Sequence, residues 1–90
     1  MRDKLIDAIN EGKYDTLELI VMTGDEQLAQ IRTGACDNVW VDADCLVINK
    51  SDYDNGLADF SIQIPPHVEW DEETECYSFN NYGLDFIILL

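Results

Sequence analysis

The spacing of the hydrophobic residues changes at Gly12, and this change constrains the fold more than any other feature of the chain. Before it, Leu5, Ile6 and Ile9 fall on one side of a helix over residues 2–11. A glycine just past the last turn is a common helix stop. After it, short apolar segments alternate with polar residues at the period of a β-strand. The chain is therefore predicted to be α+β, with one N-terminal helix packed on an antiparallel sheet of five to six strands.

The strand candidates follow one another with turn formers between them. They are residues 16–22, 27–33, 39–49, 59–64, 68–70, 75–79 and 84–90, with turns or loops at 23–26, 34–38, 51–56, 71–74 and 80–83. Residues 27–33 are also compatible with a short helix, and a strand is favoured there as the return arm of a hairpin. Residues 39–49 alternate without a break and are predicted to form one strand. Segments 16–22 and 84–90 are apolar on both faces apart from Glu18 and Asp85, which predicts that both lie inside the sheet.

The length of 90 residues predicts a single domain, residues 1–90, with one modest core. Three cysteines, Cys36, Cys45 and Cys76, are odd in number and widely spaced, which favours reduced thiols in a cytosol over a disulfide framework. The longest apolar run, residues 86–90, is far shorter than the roughly 20 residues of a membrane span. No signal peptide is recognisable at the start. A cytoplasmic protein is expected.

The charge of the chain is strongly one-sided. It carries 19 Asp and Glu against 5 Lys and Arg, a formal net charge of −14, and residues 51–90 hold nine acids with no Lys or Arg. Because 47% of the residues are hydrophobic and the acids are interleaved with them, the acids decorate a fold and do not form a disordered tail. Direct binding to nucleic acid or to anionic lipid is disfavoured, since both require a basic surface.

Motifs for metal binding or catalysis are incomplete. Asp52, Asp54 and Gly56 resemble the start of an EF-hand loop, but counting from Asp52 places Gly56 at position 5 and Gln63 at position 12, where Gly is needed at 6 and Glu at 12. The three cysteines and His67 lack the paired spacing of zinc ligands. No nucleophile–base signature or phosphate-binding glycine loop is present. The expectation is therefore a protein with no metal, no cofactor and no enzymatic activity.

The spacing of the acids carries the functional prediction. Residues i and i+2 of a strand share a face at about 6.6–6.8 Å, which resembles a phosphate spacing of roughly 6–7 Å along a nucleic-acid strand. This spacing is shared by Asp42 with Asp44, by Asp52 with Asp54, and by the run Glu69, Asp71, Glu73 and Glu75. Asp3, Asp7 and Glu11 form a similar ridge on the helix, at about 6 Å per turn. The predicted partner-binding residues are Asp42, Asp44, Asp52, Asp54, Asp59, Glu69, Trp70, Asp71, Glu72, Glu73 and Glu75.

In size, acidity and lack of catalytic motifs, the chain resembles phage and plasmid proteins of the anti-CRISPR and DNA-mimic anti-restriction classes. The resemblance covers overall character, so it transfers no functional residue. It implies a non-enzymatic inhibitor that occupies the basic DNA- or RNA-binding groove of a partner, such as a CRISPR effector or a restriction enzyme. Such a protein would evade host defence in the cytoplasm of a bacterial host cell.

The acidity also has two other possible explanations. An immunity-type protein or antitoxin would bind a basic toxin nuclease through a local hot spot, in which aromatic residues such as Trp40, Tyr53 or Trp70 stand among the acids. A halophilic protein would be acidic because of its solvent. The edges of a small sheet also allow a homodimer.

Overall fold

The computed structural model describes residues 1–12, 14–34, 38–52 and 56–90, and describes only the backbone of 34, 38, 49–52 and 56–60. Helix α1 spans Arg2–Glu11, as predicted, and buries Leu5 and Ile9. Gly12 ends it in the left-handed conformation, with φ 66°, and its N–H donates to the Ile9 carbonyl at 3.1 Å. Glycine adopts this conformation without the steric cost that a Cβ adds.

The remaining elements are β-strands in two antiparallel sheets. They are β1 (Thr16–Thr23), β2 (Glu26–Gly34), β3 (Asn38–Asp42), β4 (Cys45–Asp52), β5 (Gly56–Gln63), β6 (Glu69–Asp71), β7 (Cys76–Asn81) and β8 (Leu84–Leu89). The large sheet has the order β2-β1-β8-β7-β6, and the small sheet has the order β3-β4-β5. The predicted α+β class, with an N-terminal helix and an antiparallel sheet of five strands, is confirmed. The additional three-stranded sheet was not predicted.

The two strands predicted to lie inside the sheet, β1 and β8, do so. They pair with each other, with Leu19 opposite Ile88, and each has a second neighbour on its other side. The inward side chains of β1, β7 and β8 pack against α1 and the small sheet. The fully buried members of this core are Leu5, Ile9, Leu17, Leu19, Leu46, Ile48, Ile64 and Ile88. A single core therefore joins the helix and both sheets.

Residues 39–49 do not form one strand, and this prediction is wrong. The chain reverses at Ala43 and Asp44, and Asp42 pairs with Cys45 across a two-residue turn. Ala43 adopts φ 57°, a conformation that usually selects glycine or asparagine, so the turn carried no recognisable signal. The reversal brings Val41 opposite Leu46 on the buried face, whereas Cys45 lies on the other face and is partly exposed.

The helix is tied to the small sheet through a side chain that imitates a neighbouring strand. The Val41 N–H donates to Asn10 Oδ1 at 2.9 Å, and Asn10 Nδ2 donates to the Val41 carbonyl at 3.4 Å. Val41 lies on β3, which is an edge strand. One amide side chain thus satisfies both main-chain groups that the edge presents at this residue.

The predicted loop at 51–56 is shorter than expected, because β4 continues to Asp52 and β5 begins at Gly56. Residues 53–55, and residues 35–37 of the predicted turn at 34–38, lie outside the described residues. The predicted hairpin at 80–83 is confirmed, with Tyr82 at φ 55° and Gly83 at φ 74° between β7 and β8.

Strand β2 forms one edge of the large sheet. Residues 26–30 are exposed, including Leu28 at 50%, and the β1–β2 pairing is irregular between Val21 and Met22. Such an irregularity blunts a sheet edge against pairing with further chains. The expectation of a homodimer stays a prediction.

Candidate functional site

The densest group of acids lies on the hairpin formed by β6, β7 and the turn between them. Residues 69–75, which we call the acidic hairpin, contain five carboxylates, and every one of them is exposed. Glu69 and Asp71 lie on β6, and the turn carries the other three, Glu72, Glu73 and Glu75. The described ion pairs of the protein, Arg2 with Asp44 and Arg32 with Glu18, do not reach this hairpin.

The turn of the acidic hairpin is held by one of its own carboxylates. Asp71 Oδ1 accepts the main-chain N–H of Glu73 at 2.9 Å and that of Thr74 at 3.4 Å. An aspartate that bonds the backbone two and three residues later fixes a turn locally. Glu75 completes it with φ 53°. Asp71 therefore has a structural role, whereas the turn glutamates have exposed side chains.

The expectation of an evenly spaced row of carboxylates from Glu69 to Glu75 is wrong beyond Asp71. Strand β6 ends at Asp71, so the spacing of about 6.8 Å between alternate residues of a strand applies only to Glu69 and Asp71. Glu73 and Glu75 lie in the turn. The charge is concentrated as predicted, but its geometry is that of a loop.

Trp70 lies among these acids and points to the opposite side of β6 from Glu69 and Asp71. It pairs in register with Tyr77, and the two ring centroids lie 4.6 Å apart at an interplanar angle of 54°. Its side chain is nevertheless 38% exposed. The structure therefore presents a supported aromatic surface beside the acidic hairpin.

Asp42 and Asp44 lie at the turn between β3 and β4, and not on one face of a strand as their spacing predicts. Asp42 is exposed, whereas Asp44 is used by the fold. Gln63 Nε2 donates to Asp44 Oδ2 at 2.9 Å, and Arg2 Nη2 lies 3.7 Å from the same oxygen. The main-chain carbonyl of Asp44 accepts the Ile64 N–H at 2.7 Å.

These contacts lower the pKa of Asp44 below its ordinary value of 3.8. The hydrogen bond from Gln63 is the largest cause, and the nearby Arg2 guanidinium adds to it. The carboxylate thus joins the helix N-terminus to the end of β5. Its contacts already lie within the protein, which makes it a weak candidate for a partner contact.

The structure does not bring the β3–β4 turn and the β6–β7 turn together. Asn81, at the end of β7, donates its side-chain amide to the Gln63 carbonyl at 3.1 Å, and Gln63 contacts Asp44. Asp71 pairs with Cys76, at the start of β7. Five residue steps along a strand cover about 17 Å. The two turns therefore lie near opposite ends of β7.

The remaining predicted contact residues stay predictions. Asp52 pairs with Gly56 and Asp59 pairs with Asn49 across β4 and β5, but only their backbone is described, and Asp54 lies outside the described residues. The incomplete calcium-binding motif falls in the same segment. Among the described residues, His, Cys, Asp and Glu do not form a group of three that would hold a metal ion.

The sequence reasoning missed a group on the outer face of the large sheet. Asp85, Asn80 and Met22 are register neighbours there, and Asn80 Nδ2 donates to Asp85 Oδ1 at 3.0 Å. His67 is exposed and lies with its Nε2 2.9 Å from the Asn80 carbonyl. In the sequence, Asp85 stands out only as an exception in an apolar strand. The alternation of Asp85, Ile87 and Leu89 was the signal that places them on one face.

Comparisons of this chain with family models, with curated proteins and with solved structures find no match. Within the described ranges, no helix has the length and apolar character needed to cross a membrane.

Proposed function

We propose that this protein is a non-enzymatic inhibitor that binds the basic, nucleic-acid-binding groove of a partner protein, and that the acidic hairpin is its main contact. The observation that carries the proposal is the exposure of five carboxylates within residues 69–75, which the described ion pairs of the protein do not reach. A CRISPR effector or a restriction enzyme is the kind of partner meant.

Electrostatics explains why such a surface suits a basic partner. Neighbouring carboxylates repel one another, and the whole protein, at −14, repels further anions. A groove lined with Arg and Lys relieves this repulsion through charge-assisted hydrogen bonds. The long-range attraction also speeds association, especially at low ionic strength.

The geometry supports occupation of a groove better than a faithful copy of a phosphate backbone. Only Glu69 and Asp71 keep the spacing of alternate strand residues, and the turn acids are clustered. An exposed anionic turn suits a basic cleft by its charge. We therefore expect the turn acids Glu72, Glu73 and Glu75 to contribute most to binding.

An immunity-type protein or antitoxin that binds a basic toxin nuclease is a second candidate, and Trp70 favours it. A half-exposed tryptophan that is supported by a second ring is typical of interface hot spots. In this case, Trp70→Ala alone would abolish binding. In the groove-binding case, binding would fall stepwise as carboxylates are neutralised.

The proposal is tested by affinity capture from a bacterial lysate at low salt and at about 0.5 M salt, where exposed charges are strongly screened. Three baits are compared: the native protein, Glu72→Gln/Glu73→Gln/Glu75→Gln, and the matched control Asp15→Asn/Asp25→Asn/Glu26→Gln. Both variants lose three negative charges at exposed positions.

We expect the native protein and the control to retain a basic nucleic-acid-binding protein at low salt, and the hairpin variant to lose it. Addition of duplex DNA or RNA should elute the captured protein, because the two ligands share one groove. Equal capture by the hairpin variant and the control would contradict the assignment of the acidic hairpin. If added nucleic acid does not elute the captured protein, the proposal that the hairpin binds in the nucleic-acid groove is contradicted.

A further inference from the structure

The outer face of the large sheet has an apolar centre. Ile20, Met22, Ile87 and Leu89 alternate with the core residues of β1 and β8, so they point away from α1 and the small sheet. All four are only partly buried. Across the register, Ile87 borders Ser78 on β7, and Ser78 borders Glu69 on β6.

A pocket of about 420 Å³ opens on this face. Met22 and Ile87 are among its apolar lining residues, and Glu69 and Asp85 are its two acidic ones. Neither Lys nor Arg is among the described residues that line it. Glu69 also belongs to the acidic hairpin, so the pocket and the hairpin form one continuous anionic surface.

The carboxylate of Asp85 is held in position. Asn80 Nδ2 bonds its Oδ1 at 3.0 Å, and the Asn80 carbonyl in turn contacts His67 Nε2 at 2.9 Å. Glu69 lies two strands away from Asp85 and two residues along them, since Glu69 is level with Ser78 and Asp85 with Asn80, which is about 12 Å at the usual spacings. The pocket therefore offers an apolar surface with a fixed anion on one side and a second anion on the other.

We propose that this pocket receives an arginine side chain from a basic segment of the partner. The three methylene groups of arginine would pack on Met22 and Ile87, and its guanidinium would bond the carboxylate of Asp85. This inference rests on the proposed function, and it specifies which side chain of the partner is recognised.

Charge selects this occupant over the alternatives. An aliphatic side chain would remove water from Asp85 and Glu69 without replacing its hydrogen bonds. A phosphate or a second copy of this chain, at −14, would be repelled. Lysine would satisfy the charge, but only the planar guanidinium donates two parallel hydrogen bonds to one carboxylate.

The test is a titration of the whole 90-residue chain with N-acetyl-arginine amide, followed by backbone ¹H–¹⁵N NMR. N-acetyl-norleucine amide and N-acetyl-lysine amide are the uncharged and point-charge comparisons. The variants are Asp85→Asn, with Asp25→Asn as a matched exposed control, and Ile87→Thr for the apolar part. Asp25 lies in the β1–β2 turn.

We expect saturable shifts at the amides of Met22, Asn80, Asp85 and Ile87, with arginine binding most tightly. Asp85→Asn should weaken arginine binding about tenfold, as loss of a hydrogen bond between charged groups implies, and Asp25→Asn should leave it unchanged. Shifts that do not saturate would overturn the proposal. Equal effects of Asp85→Asn and Asp25→Asn would overturn it too, as would equal affinity for lysine. If Asp85→Asn fails to fold, a loss of binding in Ile87→Thr decides the same question.

The titration and the lysate capture distinguish an error in the pocket assignment from an error in the proposed function. If the pocket does not bind arginine amide but the acidic hairpin still captures a basic protein, only the pocket assignment is wrong. If arginine amide binds at the pocket and the lysate capture shows no displacement by nucleic acid, the groove-binding function is wrong and the pocket remains.

Discussion

The β3–β4 turn and the β6–β7 turn each carry closely spaced acids, but the protein uses them differently. At the first, Asp44 is bonded by Gln63, lies near Arg2 and accepts a main-chain hydrogen bond, so it joins three parts of the fold. At the second, Asp71 is the acid whose side chain holds the turn, and three exposed glutamates follow it. The comparison shows that the number of carboxylates does not identify a binding surface. What matters is how far the protein's own donors and cations together already engage their oxygens, as Gln63 and Arg2 do at Asp44.

The largest effect on stability is expected from Asn10→Ala, which separates the β3–β4 hairpin from the helix. The substitution leaves the N–H and carbonyl of Val41 without the partner that Asn10 supplies, and it should lower the free energy of unfolding by about 1–3 kcal/mol. Urea titration monitored by circular dichroism measures this. Asp7→Ala, at an exposed position of the same helix, is the control. Equal losses of unfolding free energy in both variants would show that the hydrogen bonds between Asn10 and Val41 contribute nothing.

The next effect is on binding, and it compares the two turns directly. Glu72→Gln/Glu73→Gln and Asp42→Asn/Asp44→Asn remove the same charge from the two regions. Calorimetric titration with an oligo-arginine peptide should show about tenfold weaker binding for the first pair, because the lost contacts are charge-assisted, and a smaller loss for the second. Similar losses in both pairs would mean that the peptide senses only net charge.

A smaller effect on stability is expected from the protonation of Asp44 at low pH. Because its pKa in the folded state lies below 3.8, the charged form stabilises the fold above that pH. This stabilisation is lost as the pH falls below 3.8 toward the folded-state pKa. Asp44→Asn should therefore lower the melting temperature at about pH 7, and the difference from the native protein should shrink toward about pH 2. A difference that is constant over this range would exclude a contribution from the charge.

The smallest effect is a gain in stability from the acidic hairpin. Glu72→Gln/Glu73→Gln should raise the free energy of unfolding by about 0.5 kcal/mol or less, since it removes two like charges from an already anionic surface. The gain should disappear when salt screens the repulsion. Urea titrations at low and high salt measure it, and a loss of stability would show that these side chains serve the fold.

Much of the architecture was predictable because local patterns and long-range packing agree there. The helix ends at a glycine, β1 and β8 are apolar on both faces, and Tyr82–Gly83 adopts the positive φ angles of a tight hairpin. Each of these features is specified by its own residues. The same agreement explains why the interior strands were placed correctly.

The sequence was misleading where a tertiary contact decides the conformation. The turn at Ala43 and Asp44 lacks glycine, and contacts from Gln63 and Ile64, about twenty residues later, hold it. The alternation of apolar residues continued through the turn, so a single long strand was the natural interpretation. The division into two sheets was missed for the same reason.

The candidate site was predictable in composition but not in shape. Acids at 69–75 and a turn at 71–74 are evident from the sequence, whereas the residue at which β6 stops pairing with β7, and with it the spacing of Glu73 and Glu75, is not. The pocket beside it was missed, because Met22, Asn80 and Asp85 meet only through the order of strands β1, β8 and β7. Strand order is a property of the whole fold, which spacing along the chain does not contain.

The amide of Asn10 has a consequence for truncated forms of the protein. While α1 is in place, the main chain of β3 at Val41 is not free to accept another strand. Removal of the first eleven residues would strip this cover and also open the core where Leu5 and Ile9 are buried. The exposed edge of the shortened protein would then pair with extended segments of other copies, and the protein would self-associate. The helix therefore protects the protein from aggregation as well as completing its core.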